Sequence, residues 1–189
     1  MPQQRCWEQV GCEPAHDDIR SREYRYWLRY RLRDRVGLPP LVVIQLNPST
    51  AGRESEDSGD ATSRRVAGWA SRRRLYGSVV FLNLFALRCT DPQGLLRQPY
   101  DVAVGPEGDR TLIHEADPPG ATLVAAWGKG KAGALGRLVA RRRDEVCDLL
   151  AGAEQTVHWL APTGHPLHGR CWEDRHELEP VSIARLRAP

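Results

Sequence analysis

The 189-residue chain is poor in methionine, phenylalanine and lysine, with one Met, two Phe and lysines only at Lys129 and Lys131. Its positive charge is therefore almost all arginine, and the formal net charge is only +3. Arginine presents a planar fork that suits phosphate, so a nucleic-acid partner is permitted; Arg-rich solvated helix faces account for the same composition. No apolar run approaches the roughly 20 residues needed to span a bilayer. The opening stretch MPQQRCWEQVGCEPAHDD has no apolar signal core, so a cytoplasmic location with no membrane partner is expected. Five scattered cysteines (Cys6, Cys12, Cys89, Cys147, Cys171) argue against a disulfide framework. Cys6, Cys12 and His16 could contribute to a metal site, but no C-x-x-C pair is present. Zinc and iron–sulfur spacings normally include one, so reduced thiols and no metal or cofactor are expected.

The length suits one domain with a substantial core. Residues 1–20 are polar and mixed and read as a loose arm, leaving 21–189 as a single α/β domain. In SREYRYWLRYRLRDR, Tyr24, Tyr26, Leu28, Tyr30 and Leu32 share one parity, which suits a strand, although a helix is also compatible. LVVIQL (41–46), SVVFLNLFAL (78–87), TLVAAWG (122–128) and QTVHWL (155–160) read as buried strands. Helical spacing of apolar residues follows from about Thr62, near 107–116, and through GALGRLVARRRDEVCDLLAG (133–152). Strand and helix alternate, which predicts a doubly wound, three-layer domain with a mostly parallel central sheet. The tail around Trp172 looks peripheral.

Each strand stops on a distinctive polar group: Asn47-Pro48-Ser49-Thr50, then Asn83-Leu84-Phe85, then Trp127-Gly128-Lys129, and last Gly164-His165-Pro166-Leu167-His168. Parallel strands put their carboxyl ends on one edge of the sheet, so these groups are expected to converge on one pocket. Asn83 interrupts an apolar run, and its amide offers both a donor and an acceptor, the pairing that reads a nucleobase edge. Phe85 can stack on a base or belong to the core. His165 and His168 flank a Pro-Leu pair, and an imidazole there can donate to a leaving group. Asp60 can activate water or cap the next helix. Arg64, Arg65, Arg72 and Arg73 are the candidate phosphate contacts.

The segments LNPSTA (46–51), DATSRR (60–65), NLFALRCTDP (83–92), VGPEGD (104–109), AAWGKG (125–130) and GHPLH (164–168) resemble domain-of-unknown-function family number 1643 over roughly residues 24–170. A more distant similarity is to the uracil-DNA glycosylase superfamily, and it implies that superfamily's fold and a pocket for a flipped or free base. It further implies that Asn47 positions an attacking water, Asn83 reads the base, and His165-Pro166 forms the leaving-base loop. In the family's own register the matched histidine is His168. The family's last motif usually runs G-x-P-x-H-P-L-Y, whereas this chain has GHPLHGRC. The expectation is a base-excising N-glycosidase acting on DNA more readily than RNA. The alternatives are an enzyme for free nucleosides or nucleotides, and a non-catalytic nucleic-acid or nucleotide-binding module.

Overall fold

The computed structural model describes residues 7–15, 18–49, 60–130, 132–152, 156–162 and 164–187. Thr50, Cys6 and His16 lie outside these residues. The chain forms an α/β structure around one seven-stranded sheet. Its strands are β1 (Trp7–Glu13), β2 (Trp27–Leu32), β3 (Pro40–Gln45), β4 (Ser78–Asn83), β5 (Thr122–Ala125), β6 (Val157–Trp159) and β7 (Glu179–Pro180). Its helices are α1 (Ala61–Arg73), α2 (Tyr100–Val104), α3 (Gly108–Ala116), α4 (Gly133–Ala151) and α5 (Ile183–Arg187).

The sheet order is β1-β2-β4-β3-β5-β6-β7. The central four strands run parallel, whereas β1, β2 and β7 pair antiparallel at the two edges. The sheet is therefore mixed, which corrects the expectation of a mostly parallel one. The reason is local: only the centre is covered on both faces and can use uninterrupted apolar runs such as Leu41 to Ile44 and Val79 to Leu82, all 0–1% exposed. In β2, by contrast, Leu28, Tyr30 and Lys-free alternation with Arg29 and Arg31 give a half-buried strand of period two.

Helices cover both faces. On one, Val66, Ala67, Trp69 and Ala70 of α1 pack on Leu41, Val43, Val79 and Phe81. On the other, Leu112 of α3 and Leu135, Val139, Val146 and Leu150 of α4 pack on Val42, Ile44, Val80 and Leu82. Neighbouring residues, i and i+1, thus point into different cores along the same strand, while i and i+2 share one, as the pleat requires.

Both ends of the chain contribute more than the sequence suggests. Residues 7–13, expected in a loose arm, form β1 on the open edge of β2, and Trp7 packs 4.8 Å from Tyr30. Trp172, expected to be peripheral, is 1% exposed and meets Trp69 edge-on at 5.0 Å. An indole of that size gains enough by burial to hold a tail segment against α1.

The chain passes from β3 through α1 to β4 on one side, then returns to place β5 on the other side of β3. The connections leaving β3 and β5 diverge, opening a crevice between their carboxyl ends. Open α/β sheets bind ligands in such a crevice.

Candidate functional site

A cavity of about 810 Å³ occupies that crevice. Gln45, Leu46, Asn47 and Ser49 line it from the end of β3, and Trp127, Gly128 and Lys129 from the end of β5. Asp60 and Thr62 at the start of α1, Cys89 and Thr90 beyond β4, and His168 and Arg170 beyond β6 complete the wall.

Asn47 is held by its amide nitrogen, which donates to the Cys89 carbonyl at 2.6 Å and the Pro48 carbonyl at 3.1 Å. The Cys89 amide donates back to the Pro48 carbonyl at 2.9 Å, tying the loops after β3 and β4 together. With its donors engaged, Asn47 has its Oδ1 acceptor left to offer a water or a ligand N–H.

Of the two roles open to Asp60, the structure shows the helix cap, and it adds an ion pair. It caps α1, accepting from the Ser63 backbone N–H at 2.9 Å and the Ser63 hydroxyl at 3.2 Å. It also pairs with Arg25, whose guanidinium lies 3.4 Å away in a largely buried setting. Burial works to raise the Asp60 carboxyl pKa, but the Arg25 charge and the Ser63 donors outweigh it and hold the group below its ordinary value. Asp60 is therefore a fixed negative charge on the cavity wall at neutral pH.

His168 caps a short 3-10 turn (Gly169–Cys171): its Nδ1 accepts from the Arg170 backbone N–H at 3.2 Å. In the neutral ring this puts the proton on Nε2, making that nitrogen the donor. His168 is set in place by Gly128, whose φ of +88° suits glycine and where an added Cβ would lie 3.3 Å from the His168 Cβ. His165 is half-buried on the same loop but is not part of the cavity wall.

Asn83 and Phe85 sit behind the wall. Asn83 is in register with Gln45 and is 7% exposed; its Nδ2 donates to the Arg25 carbonyl at 3.3 Å, while its Oδ1 has no partner. Phe85 is fully buried, edge-on to Tyr100 at 6.4 Å, and packs in the α4-side core. Beside Asn47, a second side-chain amide lies on the cavity wall: Gln45, 4% exposed, with an unpartnered Nε2. The sequence hid Gln45 because it lies within the strand, one residue before the motif that stands out.

The four arginines divide into two pairs. Arg72 is joined to Asp174 at 2.6 Å, and Arg73 to Glu177 at 3.0 Å and to the Asp174 and His176 carbonyls, with its guanidinium 4.7 Å from the Trp69 ring. Both are occupied in fastening the 172–177 segment to α1. Arg64 and Arg65 are exposed and, with Arg72, line a separate depression of about 520 Å³ that also holds Glu173 and Asp174. Arg142, from the other arginine cluster, is buried within the fold, donating to the Leu84 carbonyl at 2.7 Å and pairing with Asp109 at 2.6 Å.

Among the described residues no group of three or more His, Cys, Asp or Glu is disposed to hold a metal ion, and no helix is long and apolar enough to cross a membrane.

These features define an α/β protein with a cavity at the switch point of its sheet. The chain belongs to the family described as Protein of unknown function (DUF1643), whose model matches residues 25–169. No curated protein and no solved structure matches it.

Proposed function

We propose that this protein is an N-glycosidase of uracil-DNA glycosylase-like architecture that removes a nucleobase from DNA. The observation that carries the reading is the meeting of Asn47, Asp60 and His168 on one cavity of about 810 Å³ at the carboxyl edge of the sheet.

In the proposed reaction Asn47 Oδ1 accepts from a water and turns its oxygen toward C1′ of the sugar. As the C1′–N bond breaks, its electron pair leaves with the base and positive charge develops on the sugar. The Asp60 carboxylate faces that charge. His168 Nε2–H hydrogen-bonds to the departing base and keeps its proton; the water oxygen bonds to C1′ and the proton it loses ends on the base nitrogen. A preorganised donor to developing negative charge contributes about 10²–10³-fold. Trp127, which is 5% exposed, offers an aromatic edge to a planar ligand, and Gln45 Nε2 a donor. A base within duplex DNA has to be flipped out of the stack to reach the cavity.

The deciding experiment incubates the protein with oligonucleotides carrying deaminated, alkylated and oxidised bases, followed by alkali. Strand breaks at one class of base, absent for Asn47→Ala, support the reading. Intact strands throughout overturn it.

A second reading, hydrolysis of free nucleosides or nucleotides in the same cavity, is favoured by one observation. Arg72 and Arg73, the expected backbone contacts, are matched within the chain to Asp174 and Glu177. Base release from mononucleotides with no affinity for oligonucleotides would establish it in place of the first.

A further inference from the structure

Two cations stand on the cavity wall: Lys129, from the loop after β5, and Arg170, from the turn after β6. Neither is ion-paired with a carboxylate among the described residues. That sets them apart from Arg72 and Arg73, whose charge is already matched. Asp60 is the one acidic residue on the described wall, and Arg25 behind it offsets its charge. Among the described residues, the cavity wall therefore carries a surplus of positive charge.

Two further features favour an anion there. Gln45 Nε2 is a buried donor on the wall with no acceptor. A donor left in that state loses its hydration without recompense unless a ligand or water supplies the acceptor. The 13-residue helix α1 also begins at the cavity, with Ala61 and Thr62 on the wall, so its positive dipole end faces the same space.

The chain is shaped to bring Arg170 to this position. An added Cβ at Gly169 would lie 2.8 Å from Val66 Cγ2, 3.0 Å from Thr62 Cγ2 and 3.2 Å from Gln45 Nε2. Only glycine lets the turn lie directly on α1 and Gln45, with His168 and Arg170 on either side of the contact.

We propose that Lys129 and Arg170 form a phosphate subsite, which holds the phosphate of the nucleotide whose base enters the cavity. This assignment rests on the nucleobase reading above and adds the class of substrate: the phosphorylated form rather than the bare nucleoside. The guanidinium of Arg170 can take two phosphate oxygens through its fork, and the Lys129 ammonium acts as a point charge.

The test titrates the protein with the common deoxynucleosides, their 5′-monophosphates, inorganic phosphate and a short single-stranded DNA. The same series is run on Lys129→Gln, Arg170→Gln and the double variant. Both side chains are exposed, so unchanged thermal melting is expected of all three. Each single substitution should weaken the phosphate-bearing ligand by about tenfold, the scale of one charge-assisted contact, and leave nucleoside affinity unchanged. A loss seen with the monophosphates assigns a terminal phosphate; a loss seen only with the oligonucleotide assigns a backbone phosphodiester; both support the subsite. Equal affinity for nucleoside and monophosphate, with oligonucleotide binding indifferent to both substitutions, overturns the subsite and leaves the base cavity standing. Inorganic phosphate bound in a Lys129- and Arg170-dependent way, with no nucleoside or nucleotide bound, upholds an anion site and overturns the nucleobase reading instead.

Discussion

The Arg25 guanidinium lies 3.4 Å from Asp60 Oδ2, with the two side chains only 6% and 11% exposed. The pair joins the entry to β2 to the start of α1, and it places a permanent carboxylate on the cavity wall.

Asp60→Asn keeps a side chain able to cap α1 but leaves Arg25 buried without its counter-charge. A loss of about 3 kcal/mol is expected, the lower end for breaking a buried pair from one side. The pH dependence follows from the direction of the shift. The Asp60 pKa is depressed in the folded state, so its contribution is fully present above the ordinary carboxylate range and is lost as pH falls through the folded value. Melting curves of wild type and variant should therefore stand furthest apart at neutral pH and draw together as the pH falls below the ordinary carboxylate range. A gap that widens on acidification would contradict this origin.

Arg72 and Arg73 should behave differently from each other. The Arg72–Asp174 pair is exposed on both sides, so Arg72→Ala should change stability by no more than about 0.5–1 kcal/mol. Arg73 covers Trp69 and donates to two carbonyls of the 174–176 segment, so Arg73→Ala should cost about 1–2 kcal/mol. Limited proteolysis after residue 172 should accelerate only in the Arg73 variant.

Gly128→Ala tests the placement of His168. A φ of +88° strains any residue with a Cβ, at about 1–3 kcal/mol, and the new methyl would press on His168. Thermal melting should fall by that amount. Activity should fall further than stability accounts for, whereas Gly152→Ala, away from the cavity and with an added Cβ no closer than 3.9 Å to any neighbour, should leave activity unchanged.

Asn47 and His168 should fail in the chemical step. Asn47→Ala should lower single-turnover rates with ligand affinity nearly intact, since water is positioned for the transition state. His168→Ala should cost about 10²–10³-fold in the same measurement, the scale of one lost donor to developing negative charge. Loss of ligand binding in Asn47→Ala would reassign that residue from water to substrate.

Much of the site was legible because buried parallel strands are written as continuous apolar runs, and a polar residue ending such a run is conspicuous. Asn47, Trp127, Gly128, Lys129 and His168 stand out on that ground, and the fold draws all five to one cavity. Gln45 does not stand out, because it lies inside the apolar strand run 41–46. Arg25 was equally silent, since its partner lies 35 residues away. The same blindness affected Arg72 and Arg73: an arginine pair reads as a phosphate patch until carboxylates about a hundred residues distant fold against it. Residues 7–13 were misread because an edge strand with Gly11 at a register shift carries little periodicity.

The antiparallel strands at the rims give the sheet its boundary with water. Cutting the chain to the family-matched span would remove β1 at one rim and β7 with Trp172 at the other. The main-chain groups of β2 that now face β1 would be bared, and Tyr30 would lose its Trp7 cover. Such an unpaired rim invites strand addition from a second molecule. The stretch that carries the family's signature is thus shorter than the stretch that covers both flanks of the sheet's parallel centre.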